Sequence, residues 1–312
     1  MHDLTVIIVS WNCREDLAAC LASLPGANTA TSVQIVVVDN ASGDGTVAMV
    51  EASFPHVRLV KNAENVGFAA ANNQALKMSR SRYLLLLNPD TIVHPGAFDV
   101  LVRFMDHHPD AWCAGPALAN TNGTLQRTGV RFPSLWNIFC ESLLLDRMFP
   151  MGRLFGAHRE LYTDPSKLRK VDYVQGAALL VRQEVIERIG GLDENFFMYF
   201  EEADWCYRMR ESGGSVFYVP EATVVHLGGE TFGHYDERRL VWYHQSLFLF
   251  YRKHYDRHAR FLLRPLIIFR SLIRVIVWTG VFLGRPVYRA ASRSSLKGYV
   301  RVLGLACGKE TA

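Results

Sequence analysis

Val33-Gln34-Ile35-Val36-Val37-Val38-Asp39-Asn40-Ala41-Ser42-Gly43-Asp44-Gly45-Thr46 is the stretch that decides the fold. A β-branched run of strand length ends on a carboxylate, enters a Gly-rich turn and gives way to a helical stretch over 45–54. The pattern repeats outward from there. Strands are expected at 4–10, 33–39, 57–61, 83–87 and 112–117, with helices at 14–24, 45–54, 68–78 and 96–107 between them. Such alternation predicts an α/β fold, a mostly parallel sheet with helices on both faces. Ligands of these sheets sit beyond the carboxyl ends of the strands, so the polar residues after each strand are where chemistry is sought.

After Pro116 the alternation is lost. Asn120 to Gly123 reads as a turn, and 134–170 is apolar, basic and without a clear period. Order returns with a strand at 171–182 that contains Gly176, helices at 183–189 and 201–211, and a strand at 215–219. Helices follow at 242–255 and 261–283. Residues 1–240 are therefore expected to form the catalytic domain, and 241–312 a helical region.

The 312 residues are 49% hydrophobic and 21% charged, which excludes a disordered chain, a collagen and a disulfide-stapled miniprotein. Net charge is +4, but 252–301 carries twelve basic residues and one acid, net +11, leaving −7 for the rest. The two parts are expected to face different partners. Six scattered cysteines, with no C-x-x-C pair, read as reduced core thiols. The apolar run at 4–9 is too short for a signal peptide and lacks a basic leader, so a cytoplasmic protein is expected.

Three strand ends carry polar clusters. Asp39 can accept hydrogen bonds from a base or from ribose hydroxyls; equally, Asp39 and Asp44 can shape a turn that Thr46 caps. Asn62-Ala63-Glu64-Asn65-Val66-Gly67-Phe68, followed by Asn72-Asn73, suits a diphosphate at a helix N-terminus, or is simply an Asn-capped helix. Asn88-Pro89-Asp90 puts a carboxylate at the tip of a buried strand, where it can hold a divalent cation or close a turn. Three such ends in series favour a nucleotide-diphosphate site.

Val9-Ser10-Trp11-Asn12, Val38-Asp39-Asn40-Ala41-Ser42, Asn65-Val66-Gly67-Phe68 and Asn88-Pro89-Asp90 together resemble the N-terminal signature of family 2 glycosyltransferases. The resemblance continues through Gly176-Ala177, Phe200-Glu201-Glu202-Ala203-Asp204-Trp205 and His226-Leu227-Gly228-Gly229, covering about 4–235. Within that family the chain is most similar to bacterial rhamnosyltransferase-like enzymes of O-antigen and cell-wall polysaccharide assembly. The resemblance implies a GT-A fold, inversion at the anomeric carbon, and a dTDP- or UDP-sugar donor, with dTDP-rhamnose first. It implies a hydroxyl of a saccharide or polyprenyl-diphosphate-linked saccharide as acceptor.

Carried over residue by residue, the resemblance makes Ser10, Asn12, Asp39, Asn65, Gly67, Asn72, Asn88, Asp90 and Gly176 donor-binding residues. Asp90 and His226 become ligands of Mg²⁺ or Mn²⁺. The family's D-x-D reads Asn88-Pro89-Asp90 here, so its first carboxylate is missing, and its Glu-Asp pair reads Glu201-Glu202. Glu202 is then the general base, with Glu201 in support. Inversion is a single in-line displacement, which needs one base for the acceptor hydroxyl and one stabiliser for the departing diphosphate. Asp204 reads as a first-turn acid complementing the helix dipole, outside the catalytic set.

No G-x-G-x-x-G and no P-loop follow the first strand, which argues against a dinucleotide enzyme and an NTPase. A sugar nucleotidyltransferase would need a Gly-rich basic loop there; a non-catalytic nucleotide-sugar scaffold is the other alternative. No nucleic-acid partner is expected. At 100° per residue, Lys253, Arg257, Arg260, Arg264, Arg270 and Arg274 share an arc of roughly 140°, opposite an apolar face. This predicts an in-plane helix whose arginines snorkel to an anionic membrane surface at the inner face of the cell membrane. A helix packed on the catalytic domain, or on the partner of a homodimer, is the alternative.

Overall fold

The computed structural model describes residues 2–126, 128–149, 152, 154–155, 163–228 and 237–308. Along the chain come β1 (Leu4–Ser10), α1 (Arg14–Ser23), β2 (Val33–Asp39), α2 (Thr46–Ser53), β3 (Arg58–Lys61) and α3 (Phe68–Met78). Next are β4 (Tyr83–Leu87), β5 (Thr91–Val93), α4 (Ala97–His107), β6 (Ala111–Ala119) and β7 (Gly129–Val130). Two helices follow, α5 (Leu135–Ser142) and α6 (Leu145–Met148), then β8 (Arg169–Val171), β9 (Tyr173–Val174) and β10 (Ala178–Arg182). The chain ends with α7 (Gln183–Ile189), α8 (Glu201–Glu211), β11 (Ser215–His226), α9 (Glu237–His254), α10 (Arg257–Gly284) and α11 (Arg289–Ala306).

Two compact units result, one of Met1–Phe132, Thr163–Phe197 and Glu201–Gly228, the other of Pro133–Tyr162, Met198–Phe200 and Gly229–Ala312. The sequence-based division at 240 shares most of the C-terminal helices with this one but leaves 133–162, 198–200 and 229–240 in the first part.

In the first unit the strands lie in the order β3-β2-β1-β4-β10-β6-β11-β5, with β8 pairing β11. All seven residues of β1 are buried, as a central strand between two parallel neighbours requires. Its register sets Ser10 opposite Asp39 and Ile8 opposite Leu87, so the ends of β1, β2 and β4 arrive together at one sheet edge. β10 runs antiparallel to β4, and Asn88 N–H donates to the Ala177 carbonyl at 2.9 Å. Gly176 is thereby brought to the same edge.

The expected strand at 171–182 is three pieces, β8, β9 and β10, separated at Asp172 and at Gln175 to Ala177. The strand expected to stop at Val219 instead runs to His226. Pro220 has no N–H to donate, so the β6 pairing slips between Val219 and Thr223 and then resumes. The resumed segment pairs antiparallel with β5, His226 opposite Thr91.

In the helical unit, α5 begins at Ser134, whose hydroxyl accepts the Asn137 N–H at 3.2 Å. Val241, His244, Leu247, Phe250 and Tyr251 form the buried face of α9, at helical spacing. Tyr251 and Tyr255 both donate their hydroxyls to the Pro133 carbonyl, at 3.3 and 2.7 Å. Gly298 lets α11 approach α9, since a Cβ there would lie 2.7 Å from Leu240 Cδ1.

Pro265 lies inside α10 without ending it. The expected basic arc is corrected here. Arg270 bonds Glu141 Oε2 at 3.1 Å and Arg274 donates to the Glu141 carbonyl at 3.2 Å, so these two arginines face α5 rather than the surroundings. Burial makes a free guanidinium costly, and on α5 the Glu141 carboxylate meets Arg270 while its main-chain carbonyl meets Arg274.

Candidate active site

At the end of β2, Asp39 is buried, and its Oδ2 accepts the Ser42 N–H at 2.9 Å while Oδ1 has no partner. A buried carboxylate oxygen left open at a sheet edge is suited to an incoming donor group. The loop around it is held by Asn12, in the left-handed region at φ 49°, whose N–H donates to Ser42 Oγ and whose Oδ1 accepts the Gly43 N–H. Against the cost of burial, the Thr46 hydroxyl at 2.5 Å and then the Arg14 and Thr46 N–H groups at 3.0 and 3.1 Å hold the Asp44 carboxyl below the usual range. Asp44 is thus the turn-former and Asp39 the open group. Ser10 is buried, with its hydroxyl 3.3 Å from Cys13 Sγ.

Asn65 Oδ1 accepts the Gly67 N–H at 3.0 Å and shapes the entry to α3. Gly67 has φ 88°, and a Cβ there would meet the Phe197 ring at 2.8 Å, so glycine is required twice over. Phe68 N–H donates to the Phe197 carbonyl at 3.0 Å, binding the start of α3 to the segment that precedes α8. Asn72 is spent inside α3, donating to the Phe68 carbonyl at 2.9 Å. Asn73 braces the loop at Leu192, donating to its carbonyl and accepting its N–H.

Asp90 and His226 come from strands far apart in sequence, joined by the Thr91 to His226 register. Asp90 Oδ1 lies 3.4 Å from His226 Nε2, and Leu227 N–H donates to the Asp90 carbonyl at 2.9 Å. Gln126 donates through Nε2 to the His226 carbonyl at 2.7 Å, leaving its Oε1 to face His226 Nδ1 at 3.1 Å. Nδ1 must then donate, so in the neutral ring Nε2 carries the lone pair, aimed beside a carboxylate oxygen. Two acceptors side by side fit a shared cation. Among the described residues no group of three or more His, Cys, Asp or Glu side chains could hold a metal, so further ligands would come from a bound molecule or water. Gly229, the last residue of the His226 motif, lies outside the described residues.

α8 opens on the acidic pair, after Tyr199 and Phe200 at φ 70° and 65°, two non-glycine residues in the left-handed region. Such strain, of order 1–3 kcal/mol per residue, is typical of functional turns. Glu201 is buried, and burial and then the Glu202 charge push its carboxyl well above the usual range. Burial also raises Glu202, opposed by the N–H groups of Glu202, Ala203 and Gly176. Both Oε2 atoms are buried without a partner. Gly176 lies against Glu202, so that a Cβ there would be 3.8 Å from its Cδ. Asp204 is fully buried and bonded to Arg208 at 2.9 Å, and Arg208 also donates to the Ile189 and Gly191 carbonyls. Asp204 is a brace. Phe196, Phe200 and Trp205 are core, while Phe197 is exposed.

Residues 5–190 match the profile of glycosyl transferase family 2. The chain belongs to glycosyl transferase family 2. It is 29% identical over 274 residues to the N-acetylglucosaminyl-diphospho-decaprenol L-rhamnosyltransferase of Mycobacterium tuberculosis, covering 84% of this chain and 87% of that one. It is 25% identical over 195 residues to rhamnosyltransferase WbbL of Escherichia coli, covering 58% and 69%. Among solved structures, mannosyltransferase PcManGT of Pyrobaculum calidifontis, in complex with GDP-Man and Mn²⁺, superposes with TM-score 0.57 at 16% identity, covering 97% of this chain and 86% of that one. The fold of this glycosyltransferase is GT-A, as its sequence motifs implied.

Two residues of this family 2 glycosyltransferase escaped the sequence reading as site residues. Asn40 donates to the Gly67 carbonyl at 3.3 Å and accepts from Asn62 at 2.8 Å, tying the first strand-end cluster to the second. Its place inside the Asp39 motif was the available signal. Gln126, which fixes the His226 ring, carried no signal, because its partner is 100 residues away. The site residues therefore comprise an open carboxylate, a paired carboxylate and imidazole, and an acid pair with raised proton affinity.

Proposed function

We propose that the chain transfers rhamnose from dTDP-rhamnose, with inversion, to a hydroxyl of a saccharide carried on a polyprenyl diphosphate. The work is done at the cytoplasmic face of the cell membrane, with an anionic membrane surface as a further partner, in the assembly of a cell-surface polysaccharide. The similarity to a rhamnosyltransferase of N-acetylglucosaminyl-diphospho-decaprenol supports the donor and the acceptor class.

The observation that carries the chemistry is Glu202, a partly buried residue whose carboxyl has raised proton affinity, against Gly176, whose neighbour Ala177 is bonded to Asn88 at the end of β4. Glu202 removes the proton of the acceptor hydroxyl as its oxygen attacks the anomeric carbon from the face opposite the nucleotide. Raised proton affinity makes it a stronger base than an exposed carboxylate. Glu201, whose proton affinity is raised by burial and then by the Glu202 charge, supports it. Asp39 Oδ1 accepts from the nucleoside, and the positive end of the α3 dipole favours the diphosphate. Asp90 Oδ1 and His226 Nε2 would hold Mg²⁺ or Mn²⁺, which, when bound, neutralises charge on the leaving diphosphate.

The test is transfer from dTDP-rhamnose to a short-chain prenyl-diphosphate-N-acetylglucosamine. The expected product has the anomeric configuration opposite to the donor's, seen by NMR, and its formation stops in EDTA and resumes with Mg²⁺ or Mn²⁺. Retained configuration would overturn the single-displacement mechanism. Full rate in chelator would remove the cation from it, and turnover only with another sugar nucleotide would replace the donor.

A further inference from the structure

We infer that the helical unit docks on a lipid bilayer through the outward face of α10, which lies in the plane of the interface, and that apolar insertion rather than arginine attraction carries the attachment. The inference deepens the lipid-linked acceptor reading and rests on it for the reason to dock; the surface itself is read from the structure.

Phe261, Leu262, Phe269, Leu272, Ile276 and Leu283 are exposed, Phe261 by 75%, Ile276 by 72% and Leu283 by 71%. At 100° per residue they fall within an arc of about 100°, and they extend over about 33 Å at 1.5 Å per residue. A bulky apolar stripe of this length is more than a soluble monomer ordinarily leaves in water. No charge interrupts the arc, because Arg270 and Arg274 are turned to Glu141 on the opposite side.

By length and composition α10 could cross a membrane, and only 11% of its most apolar window is buried. Its other face, however, packs on α5, α9 and α11 and contains the Arg270 to Glu141 pair. Lipid cannot surround a helix so partnered, whereas one face can enter the acyl boundary.

The charges at the two ends select the occupant. Arg257, Arg260 and Arg264 are exposed at the start of α10, and Arg285, Arg289 and Arg293 are exposed beyond its end. A second copy of the chain seated on this stripe, parallel or antiparallel, would bring cationic ends against cationic ends. Lipid headgroups with negative charge meet both ends favourably.

The experiment is co-sedimentation of the full chain with neutral phosphatidylcholine vesicles and with vesicles containing phosphatidylglycerol. Each is run at low salt and at about 1 M salt, where charges are screened within about 3 Å. Binding to neutral vesicles is expected to survive high salt, with an added salt-sensitive increment on the anionic ones. The double variant Leu272→Glu, Ile276→Glu should lose at least about tenfold in partitioning to both, while keeping the thermal shift given by dTDP. Attachment lost at high salt, or unchanged in the variant, overturns the inference, as does absence of binding. A dimer by light scattering that the variant dissociates makes a second copy the occupant. Transfer to the short-chain acceptor without vesicles is read separately; its failure would count against the acceptor reading, not against the docking face.

Discussion

The two units treat charge and apolar surface in opposite ways. In the sheet unit the large apolar side chains are inside, and among the described residues Leu125, Leu168 and Phe197 are the large ones left exposed. Of its buried acids, Asp39 and Glu201 each keep an oxygen without a partner, whereas Asp99 is bonded by Thr29 and Thr31 and Asp204 by Arg208. The helical unit leaves apolar side chains outside along α10 and draws Arg270 and Arg274 in to Glu141. The sheet unit thus leaves some of its buried carboxyl oxygens open, while in the helical unit the inward-facing carboxylate of Glu141 is closed on an arginine. The uneven charge of the sequence, net +11 over 252–301 against −7 elsewhere, is the linear trace of this division.

If that contrast is right, the largest effect comes from the sheet unit and is kinetic. Glu202→Gln should lower the transfer rate by about 10²–10⁴, the usual weight of a general base, while dTDP affinity and melting temperature stay close to the parent's. A loss in melting temperature of similar size would make Glu202 a cohesive residue and erase the contrast. The matching change in the helical unit is thermodynamic. Glu141→Ala leaves Arg270 without its carboxylate, Arg274 keeping the main-chain carbonyl at 141, and should cost about 3–5 kcal/mol of stability, read by denaturant melts. Replacing Arg270 by Met in the same chain should return most of it.

Glu201→Gln sharpens the comparison through pH. A carboxyl raised by burial and by Glu202 binds its proton more tightly folded than unfolded, so ν is larger in the native state and stability falls as pH rises. The stabilisation is complete below the ordinary value of 4.5 and is lost upward through the raised folded value. The variant escapes that loss. Its melting temperature relative to the parent should therefore be higher by about 3 °C or more at about pH 8, with a smaller difference at about pH 5. The smallest effect expected is at Ser134→Ala, which removes the cap of α5 and should cost about 1 kcal/mol with turnover per folded molecule unchanged.

Much of the sheet unit was legible in sequence because parallel strands buried on both faces leave continuous β-branched runs; β1, β2, β4, α3, α7 and α8 begin and end where the residues indicate. What stayed hidden depended on contacts distant in sequence. β11 was cut short at Pro220 because proline ends most strands, and only the β5 and β6 partners show why it continues. The helices α5 and α6 fall in a stretch whose apolar residues have no clear period, and α11 has many small residues on its buried face, Ser292, Ser295 and Gly298. The arginine arc failed for a related reason. Angular position on an isolated helix says which residues share a face, but not that Glu141, more than 120 residues away, would claim that face. Asp39, Asp90 and Glu202 were readable as types at strand and helix ends, whereas Gln126 was not.

The slip in β11 has a consequence for what the sequence is free to change. Between Val219 and Thr223 three residues pass without partners on β6, where Pro116 and Ala117 are adjacent. Because side chains alternate with period two, the number of residues in that interval sets the phase of everything after it. A change of one residue that is taken up as a register shift on β5, and not within the interval, turns His226 to the opposite face of the strand, away from Asp90. Glu221, exposed in the interval, is free to vary in kind; the interval is not free to vary in length. It works as a reading frame written in backbone, which holds the phase that sets His226 beside Asp90.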